Sequence, residues 1–150
     1  LPSVVTTSDA GAGVGYTGIR IRGSDASRVN ITINGFPFND AESHGTYWVN
    51  LPDFVSSVEE IQVQRGVGTS TNGSGAFGAS ININTENPSK NPFSSLSSSF
   101  GTFATFKNTL KFSTGISDSG FGFSGRLSYI SSDGYIDRAS SNLKSYFEQT

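Results

Sequence analysis

Between residues 104 and 116 apolar and polar side chains take turns almost without a break. Phe106, Leu110, Phe112 and Ile116 fall on one parity, and Thr105, Lys107, Thr109, Lys111 and Ser113 on the other. A period of two belongs to a strand with two unlike faces, and no helix satisfies it. The pattern resumes after the tight turn Asp118-Ser119-Gly120, where Phe121, Phe123, Leu127 and Tyr129 oppose Ser124, Arg126 and Ser128. Each run is roughly 10 residues, enough to cross a bilayer as a tilted strand. A soluble antiparallel sheet with one wet face shows the same alternation. Run length, the short turn and the aromatics near strand ends, Phe100, Phe103 and Tyr129, favour the membrane reading. On that reading the aromatic and leucine parity faces outward, and Lys107, Lys111 and Arg126 point inward. A lysine at the bilayer midplane costs about 2–4 kcal/mol, which fixes the parity.

Upstream, the alternation is shorter. Ile19 and Ile21, then Val29, Ile31 and Ile33, then Ile61 and Val63, then Ile81 and Ile83, mark strands expected to share one core as a compact mixed sheet. Asn34-Gly35 closes one of them as a hairpin or turn. Pro52 begins a stretch expected to make one short helical turn before residue 58. Between the last two strands, Gly66, Gly68, Gly73, Gly75 and Gly78 permit backbone angles that side chains forbid. Residues 86–92, with two prolines, read as the linker.

Chemistry is sparse. Without cysteine there is no thiolate catalysis, disulfide framework or Cys-ligated metal. A net charge of −2 offers no field for nucleic acid, which is not expected as a partner. No apolar run is long enough for a membrane-spanning helix. Gly13, Gly15 and Gly18 match a dinucleotide fingerprint in spacing, but a period-two strand follows where the phosphate needs a helix, so a loop is expected. The richest loop, residues 39–50, carries the only His and the only Trp. Asp40, Glu42 and His44 alternate there, yet three ligands without a second shell fall short of a metal site, and no metal or cofactor is expected. A solvated loop and a ligand-contact surface remain the two readings. One histidine, with no nucleophile, base and orienter in one place, excludes enzyme chemistry as an expectation.

Several motifs share one resemblance. The order strand, Arg65-Gly66, small-residue run, Gly73-Ser74-Gly75-Ala76, then an Ile- and Asn-rich strand is similar to the end of the plug domain of TonB-dependent outer-membrane receptors. The stretch from Gly18 to Gly23 and Asn34-Gly35-Phe36-Pro37 add to it. Asn34 stands where the family usually has Asp, and Asn72 where many members have an aromatic residue; Ala79-Ser80 replaces paired small residues ending in Gly. The 132–138 segment resembles the close of the third barrel strand, with the fourth beginning at 143–147.

What the resemblance implies is a mostly β chain with an α+β, mixed-sheet plug at 1–87. The first, truncated antiparallel strands of a transmembrane β-barrel follow at 88–150. The implied function is energy-coupled uptake across the outer membrane of a Gram-negative bacterium. Partners would be TonB, through a segment before Leu1, outer-membrane lipid, and a substrate such as an iron chelate, cobalamin or oligosaccharide. By the same resemblance Arg22 and Arg65 are plug-to-barrel contacts, and the loops at 9–17 and 39–50 face the substrate. Composition agrees: Tyr16, Tyr47 and Trp48 offer flat apolar area, and Asn39, Asp40, Glu42 and His44 offer polar groups. A soluble β-rich binding or adhesion module without catalysis is the competing reading.

Overall fold

A computed structural model describes residues 2–9, 14–67 and 76–150. The chain is mostly β, and its contacts divide it into two compact units. Of the described residues, the first holds 2–9, 15–50, 58–67 and 76–86; the second holds 14, 51–57 and 87–150. No helix among the described residues is long and apolar enough to cross a membrane.

In the first unit, β1 (Val4–Ser8) and β2 (Thr17–Ile21) form an antiparallel ribbon. β3 (Val29–Ile33), β4 (Phe36–Pro37), β5 (Val58–Arg65) and β6 (Ala79–Thr85) form a mixed sheet in the order β4-β3-β6-β5. β3 runs parallel to β6, which needs a long crossover, and the 39–57 segment belongs to it. Asn34 and Gly35, both at positive φ, turn β3 into β4 with the twist a two-residue hairpin requires.

Ile21, Val29, Ile31, Ile81 and Ile83 are buried as the alternation predicts. Two expectations are corrected. Ile19 and Ile21 belong to the separate ribbon, not to the mixed sheet. Ile61 is 49% exposed although it pairs with buried Ile83, because β5 is the sheet edge and only one neighbouring strand shields it. Of the glycine series, Gly68, Gly73 and Gly75 lie outside the described residues, as do Gly13 and Asn72.

In the second unit, β7 (Pro92–Gly101), β8 (Thr105–Ile116), β9 (Gly122–Ser132) and β10 (Ser141–Gln149) form a sequential antiparallel sheet. Register puts Leu110 opposite Leu127 and Lys111 opposite Arg126, so the two parities read from sequence are two faces of the sheet. Thr105 with Ser132, Thr109 with Ser128 and Ser113 with Ser124 form cross-strand hydroxyl pairs on the lysine face. The helical turn expected from Pro52 starts later, as the 3-10 turn Phe54–Ser57, and it lies in this unit.

Candidate functional site

The hydroxyl-lined face carries a buried ionic cluster. The backbone enters the 3-10 turn through Asp53, whose φ of 54° is left-handed and turns the carboxylate toward β8 and β9. Asp53 Oδ1 accepts from Lys107 Nζ at 2.5 Å and from Ser56 Oγ at 2.7 Å. Oδ2 accepts from Arg126 Nη1 at 3.1 Å and from Ser128 Oγ. Arg126 also donates from Nε to Ser57 Oγ, from Nη1 to Ser128 Oγ and from Nη2 to Ser145 Oγ. Its guanidinium therefore reaches three elements. The Asp53 and Arg126 side chains are only 7% and 3% exposed. Phe54 packs edge-on against Phe147 beside them, with centroids 6.3 Å apart. Burial pushes the Asp53 carboxyl up, but the hydrogen bonds from Lys107, Ser128 and Ser56 outweigh it and hold the group below the ordinary 3.8.

Sequence reasoning placed Lys107 and Arg126 on the inner face but missed Asp53. A cation on a covered face requires a partner. That partner stands 54 and 73 residues away, so the demand was legible and its answer was not.

The 39–50 loop is built differently. Asn39 Oδ1 accepts from Ile31 N–H at 2.7 Å, and its Nδ2 donates to the Val29 and His44 carbonyls at 2.9 Å each. Both its donors are engaged by backbone, so Asn39 pins the loop to β3. Asp40 Oδ1 accepts from the N–H groups of Glu42 and Ser43 and from Ser43 Oγ. The Ser43 hydrogen bonds, backbone first, hold the Asp40 carboxyl below 3.8. Asp40 N–H donates to the Gly45 carbonyl and His44 N–H to the Asp40 carbonyl, closing the turn with His44 at φ 56°. This ties down the backbone and leaves the Glu42 and His44 side chains exposed. Tyr47 is 48% exposed and its hydroxyl reaches Ser43; Trp48 opens the 3-10 turn Trp48–Asn50 half-buried.

Tyr16 stands on another element, just before β2, and is 66% exposed. Arg22 follows β2 at φ 51°, its N–H bonded to the Ser3 carbonyl, and Arg65 ends β5; both side chains are exposed. Among the described residues no cluster of three metal-ligating side chains occurs.

A small mixed sheet followed by consecutive antiparallel strands, with a buried ionic cluster holding an upstream segment to those strands, fits the class of plugged outer-membrane barrels. Sequence comparison places the chain within it. The TonB-dependent Receptor Plug Domain profile matches residues 1–80, and the chain belongs to that family. The matched residues include Asp53, which is carried on β8 and β9.

Solved structures agree in fold. P. aeruginosa FpvA bound to heterologous pyoverdines is 16% identical with a TM-score of 0.73, covering 98% of this chain and 19% of its own. Copper transporter OprC is 19% identical, TM-score 0.67, covering 97% and 23%. BauA, the ferric preacinetobactin receptor from Acinetobacter baumannii, is 19% identical, TM-score 0.63, covering 90% and 19%. The chain thus spans about a fifth of the length of the FpvA and BauA chains it matches. The comparison with curated proteins returned no match. The family is one of transport receptors of the Gram-negative outer membrane, not of enzymes.

Proposed function

We propose that this chain is the plug, at 1–87, and the first barrel strands, at 88–150, of a TonB-coupled receptor that takes up a metal chelate. The plug-family match over residues 1–80 carries the reading. The two-faced sheet supports a barrel wall, since its hydroxyl and ammonium parity is satisfied by internal partners while its leucine parity is not. A metal chelate is preferred over cobalamin or oligosaccharide because FpvA, OprC and BauA are described with ferric or copper cargo.

On this reading Tyr16, Tyr47 and Trp48 offer flat surface to the chelate, and Asp40, Glu42 and His44 offer polar contacts. Asn39 acts beneath them by holding the loop. Arg22 and Arg65 reach the barrel wall, and TonB supplies the coupling. The test is uptake of radiolabelled ferric and cupric chelates by cells deleted for the complete gene. Restoration by the intact gene in a TonB-positive strain, and not in a TonB-negative one, is expected. Equal uptake of every chelate with and without the gene would sink the metal-chelate reading.

A further inference from the structure

Register rules the outward face of the antiparallel sheet into rows. Leu96, Leu110, Leu127 and Tyr146 lie side by side across β7 to β10. The next row, two residues along each strand, is Ser98, Asn108, Tyr129 and Lys144. An apolar row thus abuts a polar one at a spacing of about 7 Å. A hollow runs along their boundary, lined by the leucines and Tyr146 with Asn108 and Lys144 in the same rim.

Lys144 is the unusual member. It is exposed on the parity that holds the leucines, and among the described residues no carboxylate pairs with it. Glu148, on the same face, is four residues along an extended strand, roughly 13 Å away and out of ion-pair reach. Lys107, on the other face, has Asp53. An ammonium on a membrane-facing strand extends along its stem to the headgroup level and there calls for an anion.

Polar groups beside it are oriented to assist. Ser98 Oγ donates to Asn108 Oδ1 at 2.7 Å, which leaves the Asn108 amide protons pointing away from that bond. Asn142 Nδ2 donates to Tyr129 Oη at 3.0 Å, so the phenol's own proton has another acceptor to find. An ammonium, an amide and a phenol in adjoining positions above an apolar hollow match a phosphate above an acyl chain.

We infer that Lys144, with Asn108 and Tyr129, binds the phosphate of a membrane lipid whose acyl chain lies in the Leu96–Leu110–Leu127–Tyr146 hollow. The inference rests on reading the sheet as barrel wall. It is tested on the complete receptor, purified in a phosphate-free maltoside detergent, by native mass spectrometry with added phosphatidylglycerol or diacylglycerol. Wild type should retain phosphatidylglycerol, Lys144→Gln about fivefold less, and Lys144→Arg nearly as much as wild type. Equal retention by wild type and Lys144→Gln overturns the site, as does equal retention of diacylglycerol and phosphatidylglycerol by wild type. Heat-modifiable migration of the same preparation separates the two levels. If it is present while lipid retention is unchanged, only the lipid site fails. If the protein shows no barrel behaviour, the wall reading fails and the lipid site with it.

Discussion

Asp53 answers two cations from neighbouring strands, so removing its carboxylate leaves Arg126 buried and uncompensated. Asp53→Ala should destabilise the complete receptor by about 3–5 kcal/mol, read as an earlier urea midpoint. Lys107→Met should cost less, because its side chain is one-third exposed and Arg126 still balances the carboxylate. The pH dependence has a defined sign. The folded pKa of Asp53 lies below the ordinary 3.8, so its stabilisation is complete above that value and is lost as pH falls through the lower folded value. Acid titration of wild type should show a stability loss below pH 3.8 that is missing in Asp53→Ala; parallel titrations would mean the carboxylate is not the linked group. At this scale the sequence shows who needs partners and seldom who supplies them. Alternation put Lys107 and Arg126 on the covered face, whereas Asp53 lies in a Pro-Asp-Phe turn whose pattern resembles any polar loop.

Strand existence and parity were legible because alternation reports directly on which face meets an apolar layer. Position within the sheet was not. Ile31 and Ile61 look alike in sequence, yet the first is in a strand flanked on both sides and fully buried, and the second is on the edge. Ile31→Ala should therefore cost about 2–5 kcal/mol and Ile61→Ala within about 0.5 kcal/mol, measured as unfolding midpoints. Equal losses would show that another layer covers β5. Gly78 offers a second check. A Cβ there would lie 2.5 Å from Ser24 Cβ and 3.0 Å from the Arg28 carbonyl oxygen, and its N–H donates to that same carbonyl. The backbone cannot retreat without breaking the bond, so Gly78→Ala should destabilise by about 1–3 kcal/mol. A neutral Gly78→Ala would mean that the two segments are less closely apposed.

For the whole molecule, the open question in the sequence was whether the 39–50 loop is a solvated connection or a contact surface. The geometry divides its residues by what their polar atoms already do. Asn39 has both amide donors and one carbonyl lone pair engaged by the backbone of β3 and the loop, whereas the His44 and Glu42 side chains and the Tyr47 ring face outward from a turn that Asp40 closes. Spacing could not have made this division, since Asn39 and Asp40 are adjacent and equally polar. It gives two mutants opposite signatures in the complete receptor. Asn39→Ala strands a backbone donor and two carbonyls and should lower the amount of folded protein in the outer membrane, by a loss on the order of 1–3 kcal/mol. His44→Ala and Trp48→Ala leave those bonds intact and should weaken chelate binding at unchanged abundance, read by equilibrium binding on whole cells beside quantitative immunoblots. Trp48 is the sharper case, because a half-buried ring can serve as loop anchor or as contact. A fall in abundance with unchanged affinity in Trp48→Ala would assign it to the anchor and leave His44, Glu42 and Tyr47 as the contact surface.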